Sequence, residues 1–204
     1  MSAVDDSEVA YDERGLVPCV LQDAASGEVL TVAYMNAEAL RLTRETGEIH
    51  LFSRSRGELW HKGATSGHTQ ALRAIRYDCD GDALVALVDP AGPACHTGER
   101  TCFYRGDLEP PAPYETLPGL ERTIRARAAG RPAGSYTTRL LDDLPFAGEK
   151  VREEAEEVAR AAREESDERV AEEAADVIYH LLVLLHGRGL SLADAERVLA
   201  ARRG

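Results

Sequence analysis

Gly106-Asp107-Leu108-Glu109-Pro110-Pro111-Ala112-Pro113 divides the sequence into two unlike halves. Its three prolines remove backbone donors and favour an extended chain, so the segment reads as a linker. Before it, short β-rich runs alternate with turn residues. Leu16–Leu21 and Val29–Met35 are strand candidates about a Ser26-Gly27 turn, and Ile49–Ser53 and Gln70–Tyr77 are two more. Ala83–Val88 is uninterruptedly apolar and predicts a fully buried strand. Asn36 is a good N-cap for one helix over Ala37–Glu45, which Gly47 ends. After the linker the period becomes helical. Helices are expected over Leu117–Ala129, Val151–Arg163 and Val170–Gly187, with Ser191 capping a last one to about Ala201. Their apolar stripes are Val151, Ala155, Val158 and Ala162 on one helix, and Val170, Ala174, Val177, Leu181 and Leu185 on the next. The fold class is therefore α+β. A β-rich domain spans 1–106, with 1–14 a flexible arm; a linker spans 107–114; an all-helical domain spans 115–204.

The 204 residues, 44% apolar and 29% charged, suffice for packed cores in both parts. The longest apolar runs, Ala83–Val88 and Leu181–Leu185, fall far short of the ~20 residues of a membrane helix. The acidic start, Met1 to Asp12, has no apolar stretch of a secretory signal. A cytoplasmic protein that binds no membrane is expected. The net charge of −12 argues against a nucleic-acid partner, because phosphate neutralisation needs clustered Lys and Arg. Glu149 to Asp176 carries 12 acids against 5 bases. Such a run is either a solvated helix face or a holder of divalent cations.

Four cysteines, Cys19, Cys79, Cys95 and Cys102, are expected to be reduced in this compartment. Cys19 lies in an apolar strand and belongs to the core. Cys95 and Cys102 flank a polar loop that could clamp zinc, and three cysteines with a fourth position open would suit a catalytic zinc with bound water. The alternative is that they are small buried hydrophobes. Asp78-Cys79-Asp80-Gly81-Asp82 places three carboxylates at alternate positions, which share a face in extended chain. They repel unless a cation or a turn accounts for them. An EF-hand does not, because Ala83 stands where that loop needs Gly and a strand follows where a helix should start. An Asp-Gly hairpin turn with exposed acids explains Asp80-Gly81 alone. Lys62, Arg54 and Arg56, with the Gly, Thr and Ser groups of Gly63, Thr65, Ser66 and Gly67, could hold phosphate.

Together these motifs resemble the signature of phosphoribosyl-AMP cyclohydrolase: Trp60-x-Lys62-Gly63-x-Thr65-Ser66-Gly67, Asp78-Cys79-Asp80-x-Asp82, Cys95-His96-Thr97-Gly98 and Cys102-Phe103-Tyr104, in order over roughly residues 15–106. The resemblance implies zinc at Cys79, Cys95 and Cys102, with Cys79 contributed across a homodimer interface, and magnesium at Asp78, Asp80 and Asp82. Zinc lowers the pKa of its water toward ~7, and hydroxide then attacks C6 of the adenine ring. N1 of that ring carries a ribosyl phosphate, so the N1–C6 bond breaks and the ring opens. His61, His68 and His96 are the candidates for proton transfer, and Trp60 belongs with the substrate-binding set.

In the helical half, Glu153-Glu154-x-x-Glu157 and Glu173-x-x-Asp176 have spacings that bring carboxylates onto one face of each helix. Glu154 borders the apolar stripe, Glu153 points further out, and Glu173, Asp176 and His180 run beside the next stripe. Carboxylates bordering a core call for a partner, and Mg²⁺ between the helices would supply it. With Gly134-Ser135-Tyr136-Thr137, Lys150-Val151-x-Glu153-Glu154 and Glu173-Ala174-Ala175-Asp176-Val177-Ile178-Tyr179-His180, about residues 115–204 resemble phosphoribosyl-ATP pyrophosphohydrolase. The resemblance implies water attack on the α–β phosphate link. Arg152 stands where that family has Gly. Pro145 breaks a helix interior, so the segment Asp142–Gly148 is expected to be altered. The leading reading is one enzyme for two consecutive steps of histidine biosynthesis on nucleotide substrates, active as a homodimer. An alternative keeps the cyclohydrolase and makes the helical half a dimerisation module. A zinc-dependent nucleic-acid binder is disfavoured by the charge and by the lack of aromatic–basic interleaving.

Overall fold

The computed structural model describes residues 6–107 and 115–202. It divides into two compact units, Met1–Ala112 and Pro113–Gly204. The expected linker lies, apart from Asp107, outside the described residues.

The first unit is a six-stranded sheet formed by β1 (Val17–Asp23), β2 (Val29–Met35), β3 (His50–Ser53), β4 (Glu58–His61), β5 (Gln70–Tyr77) and β6 (Leu84–Pro90), with helix α1 (Ala37–Thr46) between β2 and β3. The spatial order is β4-β3-β2-β1-β6-β5. Among the described residues only β1 and β6 run parallel. The β5 edge turns back toward β3. Ala71 bridges Glu48, the Ile49 N–H donates to Gln70 O, and the Leu72 N–H donates to Gly47 O. The sheet therefore curls into a half-barrel around Val17, Leu21, Leu30, Met35, Leu51 and Val88. Alternate residues of β1 are buried, as one covered face requires. The same holds for β6, which corrects the expectation of a fully buried strand: its apolar run is covered on one face and half-covered on the other. Cys19 is fully buried, and burial pushes its thiol up to about 12. Asn36 Oδ1 accepts from the Ala39 N–H and Gly47 closes α1, as expected. The short β4 escaped sequence reading because Glu58 and His61 hide its alternation.

Part of the arm expected over 1–14 is tied to the sheet. Asp6 Oδ1 accepts from Tyr77 Oη at 2.6 Å and from Arg44 Nη2 at 3.0 Å, and the Ala10 N–H donates to Gly81 O at 2.9 Å. These partners lie far along the chain, where no local pattern reveals them.

The second unit contains α2 (Thr116–Gly130), α3 (Tyr136–Asp142), α4 (Leu144–Glu164), α5 (Asp167–Gly187) and α6 (Leu192–Ala201). Its core joins Ile124, Leu140, Ala147, Leu182 and Val183. The Asp142–Gly148 segment is a correction. Pro145 sits in the first turn of α4, where a missing N–H costs no helical bond and the fixed φ suits the helix. Asp143 caps that start by accepting from the Phe146 N–H at 3.0 Å. The α4 stripe is also corrected. Ala147, Glu154 and Ala161 are buried, Val151 and Val158 half-buried, and Ala155 and Ala162 exposed. Glu154 thus lies on the buried line rather than at its border. On α5 the buried residues are Glu173, His180, Leu182 and Val183, whereas Leu181 is exposed. Ser191 and Asp194 form a capping box at the start of α6. Among the described residues no helix is long and apolar enough to cross a membrane.

Candidate active sites

In the first unit the turn after β4 and the loop after β6 face each other across a cleft of about 310 Å³. Trp60, Lys62, Gly63, Thr65 and Ser66 line it, as do His61, His68 and His96. Gly63 has φ +88°, and a Cβ there would lie 2.3 Å from the His68 backbone, so only glycine lets this turn close. Gly67 completes the turn by donating to Gly63 O. Arg54 and Arg56 are not among the lining residues. Arg54 stacks over the Tyr34 ring at 3.8 Å, and Arg56 pairs with Glu58 at 2.7 Å.

Lys62 Nζ donates to Ala94 O at 2.6 Å and lies 5.4 Å from the centre of the Trp60 ring. Burial lowers its pKa, and the charges of Cys102 and Cys95 oppose that shift. Cys95 accepts from Thr97 Oγ1 at 3.1 Å, and this bond, followed by the Thr97 amide, holds its thiol below the ordinary range. Cys102 adjoins Cys95, and burial raises its thiol. The three histidines differ in their surroundings. His61 Nε2 lies 2.7 Å from Glu48 Oε2, and its ring stacks on His50 at 4.6 Å. His96 Nδ1 is 3.9 Å from Cys95 Sγ. His68 lies against Gly92.

Cys79 is exposed in the β5–β6 turn. That turn lies beyond the Cys19–Leu84 end of the β1–β6 pairing, whereas the Cys102 N–H donates to Leu30 O, near the Leu21 end of β1. One chain therefore does not bring Cys79 to the other two thiols. The carboxylates of Asp78, Asp80 and Asp82 do converge, within 4.8 Å of one another and exposed. The Asp82 carboxyl is raised by its hydrogen bond with Asp78 and then by repulsion from Asp80.

In the second unit Glu154, Glu157 and Glu173 converge within 4.8 Å, with Glu154 and Glu173 buried. Lys150 Nζ bridges Glu153 (2.8 Å) and Glu154 (2.9 Å), and Arg169 pairs with Glu173. Burial raises the Glu173 carboxyl; Arg169 opposes this and Glu157 adds to it. Glu153 faces outward, and Asp176 is exposed outside the cluster. The Asp176 backbone contributes instead: His180 Nδ1–H donates to Asp176 O at 2.9 Å. His180 Nε2 meets Tyr136 Oη at 3.2 Å. The contact between these two residues was missed because they lie on different helices.

Two family models match the chain, phosphoribosyl-AMP cyclohydrolase over residues 31–104 and phosphoribosyl-ATP pyrophosphohydrolase over 117–203. The chain belongs to both families. It is 50% identical to the histidine biosynthesis bifunctional protein HisIE of Bacillus subtilis, with 96% of this chain and 95% of that protein covered. It is 48% identical to the protein of the same name from Thermus thermophilus, with 98% and 94% covered. Membership makes it a bifunctional hydrolase of histidine biosynthesis. The reading of the helical half as a non-catalytic module finds no support, since the pyrophosphohydrolase model spans it.

Proposed function

We propose that the two units act in reverse chain order on nucleotide substrates. The helical unit, 115–204, cleaves phosphoribosyl-ATP to phosphoribosyl-AMP and pyrophosphate, and the β-rich unit, 1–106, opens the adenine ring. The observation that carries the reading is Cys95, which lines a cleft that also holds Lys62 and three histidines and has Cys102 beside it. Two thiols, one with a lowered pKa, suit zinc as donors, and Cys79 of a second copy would complete the set in a homodimer. Bound zinc would supply Lewis acidity that lowers the pKa of water to ~7. Trp60 offers an aromatic face to the base. His61, His68 and His96 are within the cleft to move protons as water adds at C6 and N1 leaves with a proton. Arg54, Arg56 and Lys62, with the Gly63–Gly67 turn, are the proposed substrate-phosphate groups.

Asp78, Asp80 and Asp82 form an all-oxygen donor set suited to magnesium, and so do Glu154, Glu157 and Glu173. There magnesium would offset charge developing on the transferred phosphoryl group. Glu153 and Asp176 would join by rotamer change. A cytoplasmic location fits a biosynthetic hydrolase with reduced thiols.

The test is product analysis on the purified chain given phosphoribosyl-ATP, Mg²⁺ and Zn²⁺, following pyrophosphate and the ultraviolet change of ring opening together. Cys102→Ala should keep the first signal and lose the second. Glu154→Gln should lose pyrophosphate release yet still open the ring of supplied phosphoribosyl-AMP. No reaction from either substrate overturns the proposal.

A further inference from the structure

Cys95 and Cys102 end a loop that the Arg100 side chain ties to two carboxylates of the β1–β2 hairpin. Arg100 Nε donates to Glu28 Oε2 at 2.7 Å, and its Nη2 donates to Asp23 Oδ2 at 2.5 Å. Asp23 is only 5% exposed and cannot swing away, because its Oδ1 already accepts from the Ala25 and Ser26 N–H groups at the β1–β2 turn. A carboxylate this buried calls for a cation, and Arg100 supplies it. The backbone of the same segment holds both cysteines. The Ala94 N–H donates to Arg100 O, the Cys95 N–H to Glu99 O, and the Cys102 N–H to Leu30 O. Thr101 Oγ1 donates to Val29 O at 2.8 Å.

We infer that Arg100 is a positioning residue that sets the spacing of Cys95 and Cys102 before a metal is bound, by gripping Asp23 and Glu28. The inference rests on the reading of these thiols as zinc ligands. Two thiolates repel, and a polar loop held only at its ends would let them part. Anchoring its middle to the β1–β2 hairpin lowers the ordering cost of binding. The planar guanidinium reaches two carboxylates at once, which a lysine ammonium on a flexible stem does not reproduce.

The experiment compares the full-length chain with Arg100→Lys and the milder Glu28→Gln. Zinc affinity is read by competition with a chromophoric chelator. Phenylarsine oxide, which needs two thiols together, is titrated in a Cys79→Ser background, so that of the cleft thiols only Cys95 and Cys102 can answer. Arg100→Lys should weaken both probes about 10-fold or more, the usual effect of losing a partner behind a metal ligand, and Glu28→Gln should weaken them less. Saturating zinc should restore the kcat of ring opening in both variants. Wild-type affinity for both probes in both variants, with folding intact, overturns the inference. If the parent chain takes no zinc, the zinc reading falls. The arsenical comparison then still decides whether Arg100 sets the thiol spacing.

Discussion

The Lys62 ammonium donates to the carbonyl of Ala94 across 2.6 Å, tying the turn after β4 to the residue that precedes Cys95. One side chain thus links the two walls of the cleft and sets a positive charge beside two thiols. Lys62→Met should lower kcat/KM for ring opening about 100-fold, the scale of losing one preorganised cationic donor. Pyrophosphate release from phosphoribosyl-ATP should be unchanged. Steady-state kinetics on each substrate separates the two.

The donor chemistries of the two units differ: the first carries thiols as well as a carboxylate cluster, and the described cluster of the second is carboxylates alone. A zinc-selective chelator such as 1,10-phenanthroline should abolish ring opening and leave Mg²⁺-supported pyrophosphate release intact. Equal loss of both activities would contradict this division of metals.

Tyr77 gives a dependence of stability on alkaline pH. Its hydroxyl donates to Asp6, and burial, then that bond, raise its pKa to about 12. An ordinary tyrosine titrates near about 10. The neutral form is therefore favoured by folding: its contribution is fully present below pH about 10 and is lost as pH rises through about 12. Urea unfolding at pH 9 and pH 11 should show the decline. Tyr77→Phe should flatten it.

Gly81 has φ +76°, and a Cβ there would lie 2.2 Å from the carbonyl oxygen of Glu8. Gly81→Ala should destabilise the first unit by about 1–3 kcal/mol through backbone strain. The displaced segment around Glu8 should become more sensitive to protease, and limited proteolysis with denaturant unfolding measures both effects.

Much of the fold was legible because it depends on near neighbours. The Asn36 and Ser191 caps, the Gly47 stop and the alternation of β1 each involve residues a few positions apart. Where context outweighed pattern, the reading missed. Pro145 reads from sequence as a breaker, yet a proline at the start of a helix is favourable, and its place there depends on Asp143 acting as a cap. The α3 helix has only seven residues and too little periodicity to announce itself.

By itself the sequence determined the α+β class with a β-rich part before an all-helical one, most of the helices and strands, and the residue types that carry the chemistry. These follow from backbone sterics, periodicity and donor identity, which act locally or belong to the side chain alone. Tertiary structure decided which of those residues meet. It gathered Glu154, Glu157 and Glu173 and left Glu153 and Asp176 outside, because helix rotation is set by packing across the whole face. It brought Arg100 to Asp23, 77 positions away, and set Cys79 apart from Cys95 and Cys102. Such distances are fixed by how the sheet curls and which strands are neighbours, and no spacing along the chain contains that information.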